Sequence, residues 1–259
     1  MRSVILISSV LVFGLIARAE GQAFAGEQSY LPGENLKYQL YYGPLNAGEA
    51  VMKLEHGRME GREVLHAVML GYTTGLADRL FRVYDVYESF MDPETGLPLK
   101  AIRNISEGRY QKYNEVIFDR YNNRVISQLS GIKETPPGIL DIVSAIYRLR
   151  DTMPSVALRD GEVIRLMAYF TDELYPLVIR YRGTETIRTR MGRFHALKFS
   201  PVSEPGRLFR TEDDITIWFS NDRNYVPLRV RLNMLVGAVR MDLVEAGGLR
   251  YELREAGTP

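Results

Sequence analysis

The feature that most constrains this chain is one helical stretch, TPPGILDIVSAIYRLRD at residues 135–151, set between two long blocks that alternate every second residue. Ile139, Ile142, Val143, Ile146 and Leu149 recur at three- and four-residue steps and form one apolar stripe. Asp141, Ser144, Arg148 and Asp151 fall on the other side. Thr135 is the expected N-cap, with Pro136 at a first helical position whose amide needs no partner. Arg148 and Arg150 sit in the last turn, where carbonyl ends favour cations, and Met153-Pro154 stops the run. A lone amphipathic helix among strands has to bury its stripe against a sheet.

The flanking blocks read as strands. In ENLKYQLYY, Leu36, Tyr38, Leu40 and Tyr42 alternate with Lys37, Gln39 and Tyr41, the pattern of a half-buried strand. Six more strands follow before the helix, separated by turns at Gly43-Pro44, Gly57–Gly61, Asp92–Gly96, Gly108 and Asn122-Asn123. After it come EVIRLMAYF, YPLVIRYRG, ETIRTRMG, RFHALKFS, DDITIWFS, VPLRVRLNM and AVRMDLVEA, with a turn expected at Gly183-Thr184-Glu185. The expected fold is mainly β: an antiparallel barrel, half-barrel or set of curved sheets with one amphipathic helix inserted mid-chain. Strands span about 34–130, the helix about 136–151, and strands again about 162–246. No Ser/Pro/Gly linker divides residues 20–259, so a single domain is expected.

The first nineteen residues read as an address. Arg2 precedes an apolar core at residues 4–16, and Ala17-Arg18-Ala19 is a small-x-small cleavage site. No later stretch approaches the roughly 20 apolar residues of a spanning helix, so no transmembrane segment is expected after cleavage. The chain has no cysteine, which excludes a lipid-modified cysteine and any disulfide. Localisation in a bacterial periplasm follows as the expectation. With 33 Lys+Arg against 32 Asp+Glu there is no global charge to draw nucleic acid.

Three strings carry a family resemblance: YLPGENLKYQLYYGPLNAGEAVMKLE, FRVYDVYESFMDPETGLPLKAIRNISEGRY and DDITIWFSNDRNYVPLRVRLNMLVGAVRMDLVE. In this order, and covering about Tyr30 to Glu245, they resemble the exported bacterial family catalogued as domain of unknown function 3108. The resemblance implies a periplasmic, mostly antiparallel β-protein with a barrel-like or half-barrel fold. It is similar in outline to envelope proteins that carry or sense lipidated or polysaccharide cargo, and it transfers no catalytic residue.

The candidate site residues come from chemistry alone. Arg180, Arg182, Arg188 and Arg190, with Arg193, cluster around the expected turn and could offer planar donors to phosphate or carboxylate. A solvated hairpin face is the plainer alternative for them. Trp218, the only tryptophan, shares a strand face with Asp214 and Thr216, away from Ile215, Ile217 and Phe219, and is either a wall for an acyl chain or sugar ring, or core. Asp85, Glu88, Glu107 and Glu115 lie on or beside strands, where a facing pair could hydrolyse a glycoside. Asp85 and Glu88 are an odd number of residues apart and so point to opposite faces. His56, His66 and His195 are scattered without metal-ligand spacing, and no nucleophile elbow or phosphate loop occurs. No catalytic residue, metal or cofactor is assigned.

The resulting expectation is a non-enzymatic envelope protein that binds a lipid, glycolipid or other hydrophobic ligand in a β-barrel interior. Ile139, Ile142, Val143, Ile146 and Leu149 would form the cover. The alternatives are a scaffold with envelope-protein partners, and a glycan-directed hydrolase using strand carboxylates such as Glu107 and Glu115.

Overall fold

Fourteen antiparallel strands form one continuous sheet in the computed structural model, which describes residues 28–155, 158–202, 214–233 and 237–257. The address segment at residues 1–19 lies outside the described residues. The first run is β1 (Asn35–Tyr42), β2 (Leu45–Met59), β3 (Arg62–Thr73), a short helix α1 (Gly75–Leu80), β4 (Tyr84–Met91), β5 (Pro98–Glu107), β6 (Tyr110–Asp119), β7 (Arg124–Ser127) and β8 (Gly131–Glu134). Helix α2 (Ile142–Thr152) follows. The second run is β9 (Val163–Phe170), β10 (Glu173–Thr189), β11 (Gly192–Pro201), β12 (Ile215–Ser220), β13 (Pro227–Asn233) and β14 (Ala238–Gly247). Each run is a meander. β14 returns to pair with β1, so the two runs join in mid-sheet and leave β8 and β9 as the edges. The fold is therefore the mainly β, curved antiparallel sheet that the alternation implies.

Alternation decides which side chains meet. On β1, Leu36 and Tyr38 are fully buried, and Leu36 lies opposite Met52 while Tyr38 lies opposite Leu243. These residues pack with Leu54, Leu65, Ala67, Met91, Leu228 and, from α2, Val143 and Tyr147. The face that carries α2 is the inner face of the sheet. Leu149 joins Ile164, Ile179, Leu197, Phe199 and Phe219 from the second run, while Ile139 packs with Val116, Phe118 and Val125 from the first and with Tyr169 from the second. The helical segment thus links both runs. Removing one such side chain, as in Leu149→Ala, costs about 2–5 kcal/mol.

The helix starts later than its apolar period predicts. Thr135 is not the cap; Asp141 is, accepting hydrogen bonds from the Val143 and Ser144 amides at 2.7 and 3.0 Å. Ser144 Oγ in turn accepts from the Asp141 amide at 2.9 Å, completing a reciprocal cap. Upstream, Leu140 bridges in parallel to Ala168 of β9, its amide donating to the Met167 carbonyl and its carbonyl accepting from the Tyr169 amide. Those backbone groups are used by an edge strand and cannot join the helical ladder. The polar side of α2 is also enclosed: Asp141, Ser144 and Asp151 are buried and Arg150 is completely so. The helix is a plug within the sheet's curve, with protein on its polar side as well as its apolar one.

Two further departures are local. No turn forms at Gly183-Thr184-Glu185; β10 runs through it, and the pairing with β11 only slips between Tyr181 and Thr184. Gly183 has φ +89°, so it absorbs the slip as a bulge instead of reversing the chain. Helix α1 was not marked by any long apolar period, being six residues with none buried.

Because the strands alternate in direction, the β1–β2, β3–β4, β5–β6 and β7–β8 connections share one end of the sheet with α1. The β9–β10 turn reaches the same end, where Asp172 bonds Ser127 and Ser130. The far end of α2 lies at the opposite end, where Arg150 meets Glu34, just before β1, and Asn224 in the β12–β13 turn.

Candidate functional site

Between the first turn of α2, the inner face of β4–β6 and the β9–β10 turn lies a cleft of about 430 Å³, its open mouth included. Register places its wall. Tyr87 lies opposite Arg103, and Arg103 opposite Asn114, so three polar side chains stand in one row on adjacent strands. One row nearer the helix cap, Ser89 faces Ala101 and Ala101 faces Val116. Ile142 and Val143 supply the helix side, and Phe170 closes over the row from β9. The Arg103 guanidinium lies 5.4 Å from the centre of the Phe170 ring, which is 6.4 Å from that of Tyr87.

The Nε of Arg103 is buried and makes no hydrogen bond. A buried donor without a partner is costly, and a ligand with an acceptor would satisfy it. Burial pushes the Tyr87 hydroxyl above its ordinary value, against the pull of Arg103. Burial and the neighbouring Asp85 carboxylate push Glu107 up, while Arg103 pulls it down. The Asp141 carboxyl is also raised by burial, although Ser89 Oγ, 2.5 Å away, and the Ser144 and Val143 amides all stabilise its charge.

Across the mouth, Asp172 fastens the β9–β10 turn to the opposite edge of the sheet. Its Oδ1 accepts from Ser127 Oγ at 2.6 Å, Asn114 Nδ2 at 2.9 Å and Ser130 Oγ at 3.0 Å. Lys112 Nζ lies 3.4 Å from Oδ2, and Lys133 donates to the Asp172 carbonyl at 2.9 Å. Burial works to raise this carboxyl, but the hydrogen bonds and Lys112 outweigh it and hold it below the usual range. Thr171 and Asp172 both have positive φ, 52° and 65°. Asp tolerates that region and a β-branched Thr does not, so the side-chain bonds hold a turn that carries strain.

The structure does not gather the sequence-derived candidates at this cleft. Ile142 and Val143 line it, Ile139 lies in the small cluster with Phe118 and Tyr169, and Ile146 and Leu149 face the main core and the second-run core. Trp218 stands in a row with Lys198, Arg229 and Asp242, is almost fully buried, and donates from Nε1 to Glu185 at 3.1 Å. Arg180 lies across from Ser200 on half-buried backbone, with Arg182 near the bulge. Arg188 pairs across the β10–β11 hairpin with Arg193, and Arg190 stacks over Tyr41 at 5.8 Å. Glu115 is level with Ile102, an odd step from Glu107 on the neighbouring strand, so the two carboxylates point to opposite faces. Lys100 and Tyr113 hold Glu115 on the outer side. Among the described residues no group of three His, Cys, Asp or Glu side chains could hold a metal ion.

Arg103, Tyr87, Asn114 and Asp172 were not singled out from the sequence. One signal was there: Arg103 sits two residues after Ala101 and two before the buried Ile105, so the period of two puts a cation on the apolar face.

The fold and cleft define a mainly β protein, one curved antiparallel sheet with a helix packed in its curve and a cleft beside the first turn of that helix. The chain belongs to the family described as protein of unknown function (DUF3108), which matches residues 37–244. Among solved structures, a β-barrel-like protein of the DUF1849 family from Brucella abortus superposes with a TM-score of 0.54. That match has 8% identity and covers 85% of this chain and 98% of that one, so it speaks to the fold alone. A DUF1089 family protein from Pseudomonas aeruginosa reaches a TM-score of only 0.29, with 8% identity and 85% and 95% coverage, and carries no argument. No curated protein matches the sequence.

Proposed function

We propose that this protein is a non-enzymatic binding protein of the bacterial periplasm that holds a lipid or lipid-linked molecule in the cleft above α2. The observation that carries the reading is the unpartnered Nε of Arg103 in a cleft walled by Val116, Ile142, Val143 and Phe170. Asp141 and Asp172 also line the cleft, but Ser89 and the α2 amides engage the first, and Ser127, Ser130, Asn114 and Lys112 the second. Arg103 Nε against the apolar walls is then what suits an amphiphile with an anionic or acceptor-rich head. The apolar residues 4–16, followed by Ala17-Arg18-Ala19, support export to where such lipids are handled.

The test is mass spectrometry of small molecules extracted from protein purified out of its own periplasm. A lipid or glycolipid at near-stoichiometric amount is the expected result, depleted in the Ile142→Asp variant. Recovery of folded protein from that compartment with no apolar molecule attached would sink the reading. Recovery from the cytosolic fraction alone would remove its localisation.

A further inference from the structure

The end of the sheet that bears the cleft mouth also bears an apolar surface that the cleft does not use. On α1 and the residue after it, Leu76 is 63% exposed, Leu80 78% and Phe81 56%, and beside them Tyr110 is 52% exposed. Leu76 and Leu80 are four residues apart on one helical turn and so share a side. The β5–β6 turn is fixed against this segment, its Gly108 amide donating to the Arg82 carbonyl at 2.7 Å. Gly108 is needed there, because a Cβ would come within 2.9 Å of the Phe81 ring and the backbone has φ +58°. Two connections are thus locked into one tip.

The tip is basic as well as apolar. Arg79, Arg82 and Arg109 are exposed around the apolar side chains, and the acid among them is Asp78, 3.9 Å from Arg82. Asp85 and Glu107 lie behind on the sheet, half-buried and coupled to each other. Exposed large apolar side chains ringed by arginines match a surface that offers hydrocarbon beneath negative charge. An acidic ligand with no apolar face would satisfy the arginines and leave Leu76 and Leu80 in water, whereas an anionic bilayer meets both.

We propose that this tip, formed by α1 with the β5–β6 turn, docks on the surface of an anionic lipid bilayer. Leu76, Leu80 and Phe81 enter the headgroup boundary, and Arg79, Arg82 and Arg109 contact the anionic headgroups. Docking of this kind stands apart from whatever the cleft holds, and it would bring the cleft mouth toward the membrane.

Purified protein is sedimented with vesicles of phosphatidylcholine alone and of phosphatidylcholine with phosphatidylglycerol. Wild type should bind the anionic vesicles more tightly than the neutral ones. Leu76→Asp/Leu80→Asp should lose that binding, and Arg79→Gln/Arg82→Gln should lose the anionic preference, on the order of fivefold in affinity for each arginine. All these side chains are exposed, so circular dichroism should report folded variants. Every form is compared as the chain after Ala19, the product expected of export, so the apolar stretch at residues 4–16 takes no part. If wild type shows no anionic preference, or if the Asp variant binds as wild type does, the proposal is overturned. Leu76→Asp/Leu80→Asp should still carry whatever molecule the cleft holds on purification, so a failure here and a failure of the cleft reading give different results.

Discussion

Arg150 and Glu34 face each other as a two-pronged ion pair, Nη1 to Oε1 at 2.6 Å and Nη2 to Oε2 at 2.7 Å, with neither side chain exposed at all. The pair joins the last turn of α2 to the residue before β1. The guanidinium also donates to the Asn224 and Ser29 carbonyls and lies 5.5 and 5.4 Å from the ring centres of Tyr30 and Tyr147. Burial alone would pull the Arg150 group down, but Glu34 more than offsets this and holds it above its ordinary value. Such a pair ties together elements distant in sequence through fixed geometry, at a desolvation cost its hydrogen bonds must offset.

The asymmetry of buried pairs makes a prediction. Glu34→Leu or Arg150→Met alone leaves one buried charge unpaired and should destabilise by about 3–5 kcal/mol. The double variant should recover much of that loss, because it removes both desolvation costs. Urea unfolding of the four forms measures the coupling. Additive losses would mean that the two residues do not act as a pair.

The Asp172 clasp gives a prediction about the mouth of the cleft. Asp172→Ala removes the acceptor shared by Ser127, Ser130 and Asn114 and should cost about 1–3 kcal/mol, with faster amide exchange from Phe170 to Glu173. The sign with pH follows from the depressed carboxyl. Its contribution is complete above the unfolded value of about 3.9 and is lost as pH falls through the lower folded value. Wild type and variant should therefore converge in stability on acidification below about pH 4. A constant difference would show that ionised Asp172 is not what fastens the turn.

The cap of α2 makes a third. Asp141 serves two amides of the helix, Ser144 Oγ and Ser89 Oγ, all out of solvent. Asp141→Ala should cost about 2–4 kcal/mol, through the lost cap and the hydroxyl left buried without its partner. Asp141→Asn keeps an acceptor for the amides and removes a buried charge, so thermal unfolding should place it nearer wild type than the Ala variant. The reverse order would argue that the charge itself, against the helix N-terminus, holds the site.

How far the sequence revealed this arrangement depends on how local the controlling physics is. The strand Leu36-Tyr38-Leu40 was legible because alternation is written in neighbouring residues, and α2 because its stripe repeats within one segment. Its start was not, because Ile139 and Leu140 continue the helical period while the Leu140 backbone is claimed by β9. The turn expected at Gly183 became a bulge, since glycine signals freedom of φ and does not say how the chain will use it. Arg150 could be read only as a cation at a helix end; its partner, Glu34, is 116 residues away. The cleft row of Tyr87, Arg103 and Asn114 is likewise a product of register between three strands, which no single-segment pattern contains.

That row carries the last prediction. Arg103 Nε makes no hydrogen bond, but the guanidinium stacks on Phe170 and offsets the Glu107 charge, so replacing the side chain with Leu should cost the fold about 1–3 kcal/mol. Binding should respond differently. A charged hydrogen bond is worth roughly 1.5–3 kcal/mol, so Arg103→Leu should weaken a long-chain fatty acid about tenfold or more. The corresponding fatty alcohol, which presents no carboxylate, should lose much less. Ile142→Asp, by contrast, places a carboxylate on the apolar wall and should weaken both ligands. Fluorescence displacement with the acid and alcohol pair separates the effects. Equal losses for acid and alcohol in Arg103→Leu would mean that the guanidinium acts by packing on Phe170, and that the headgroup is recognised elsewhere.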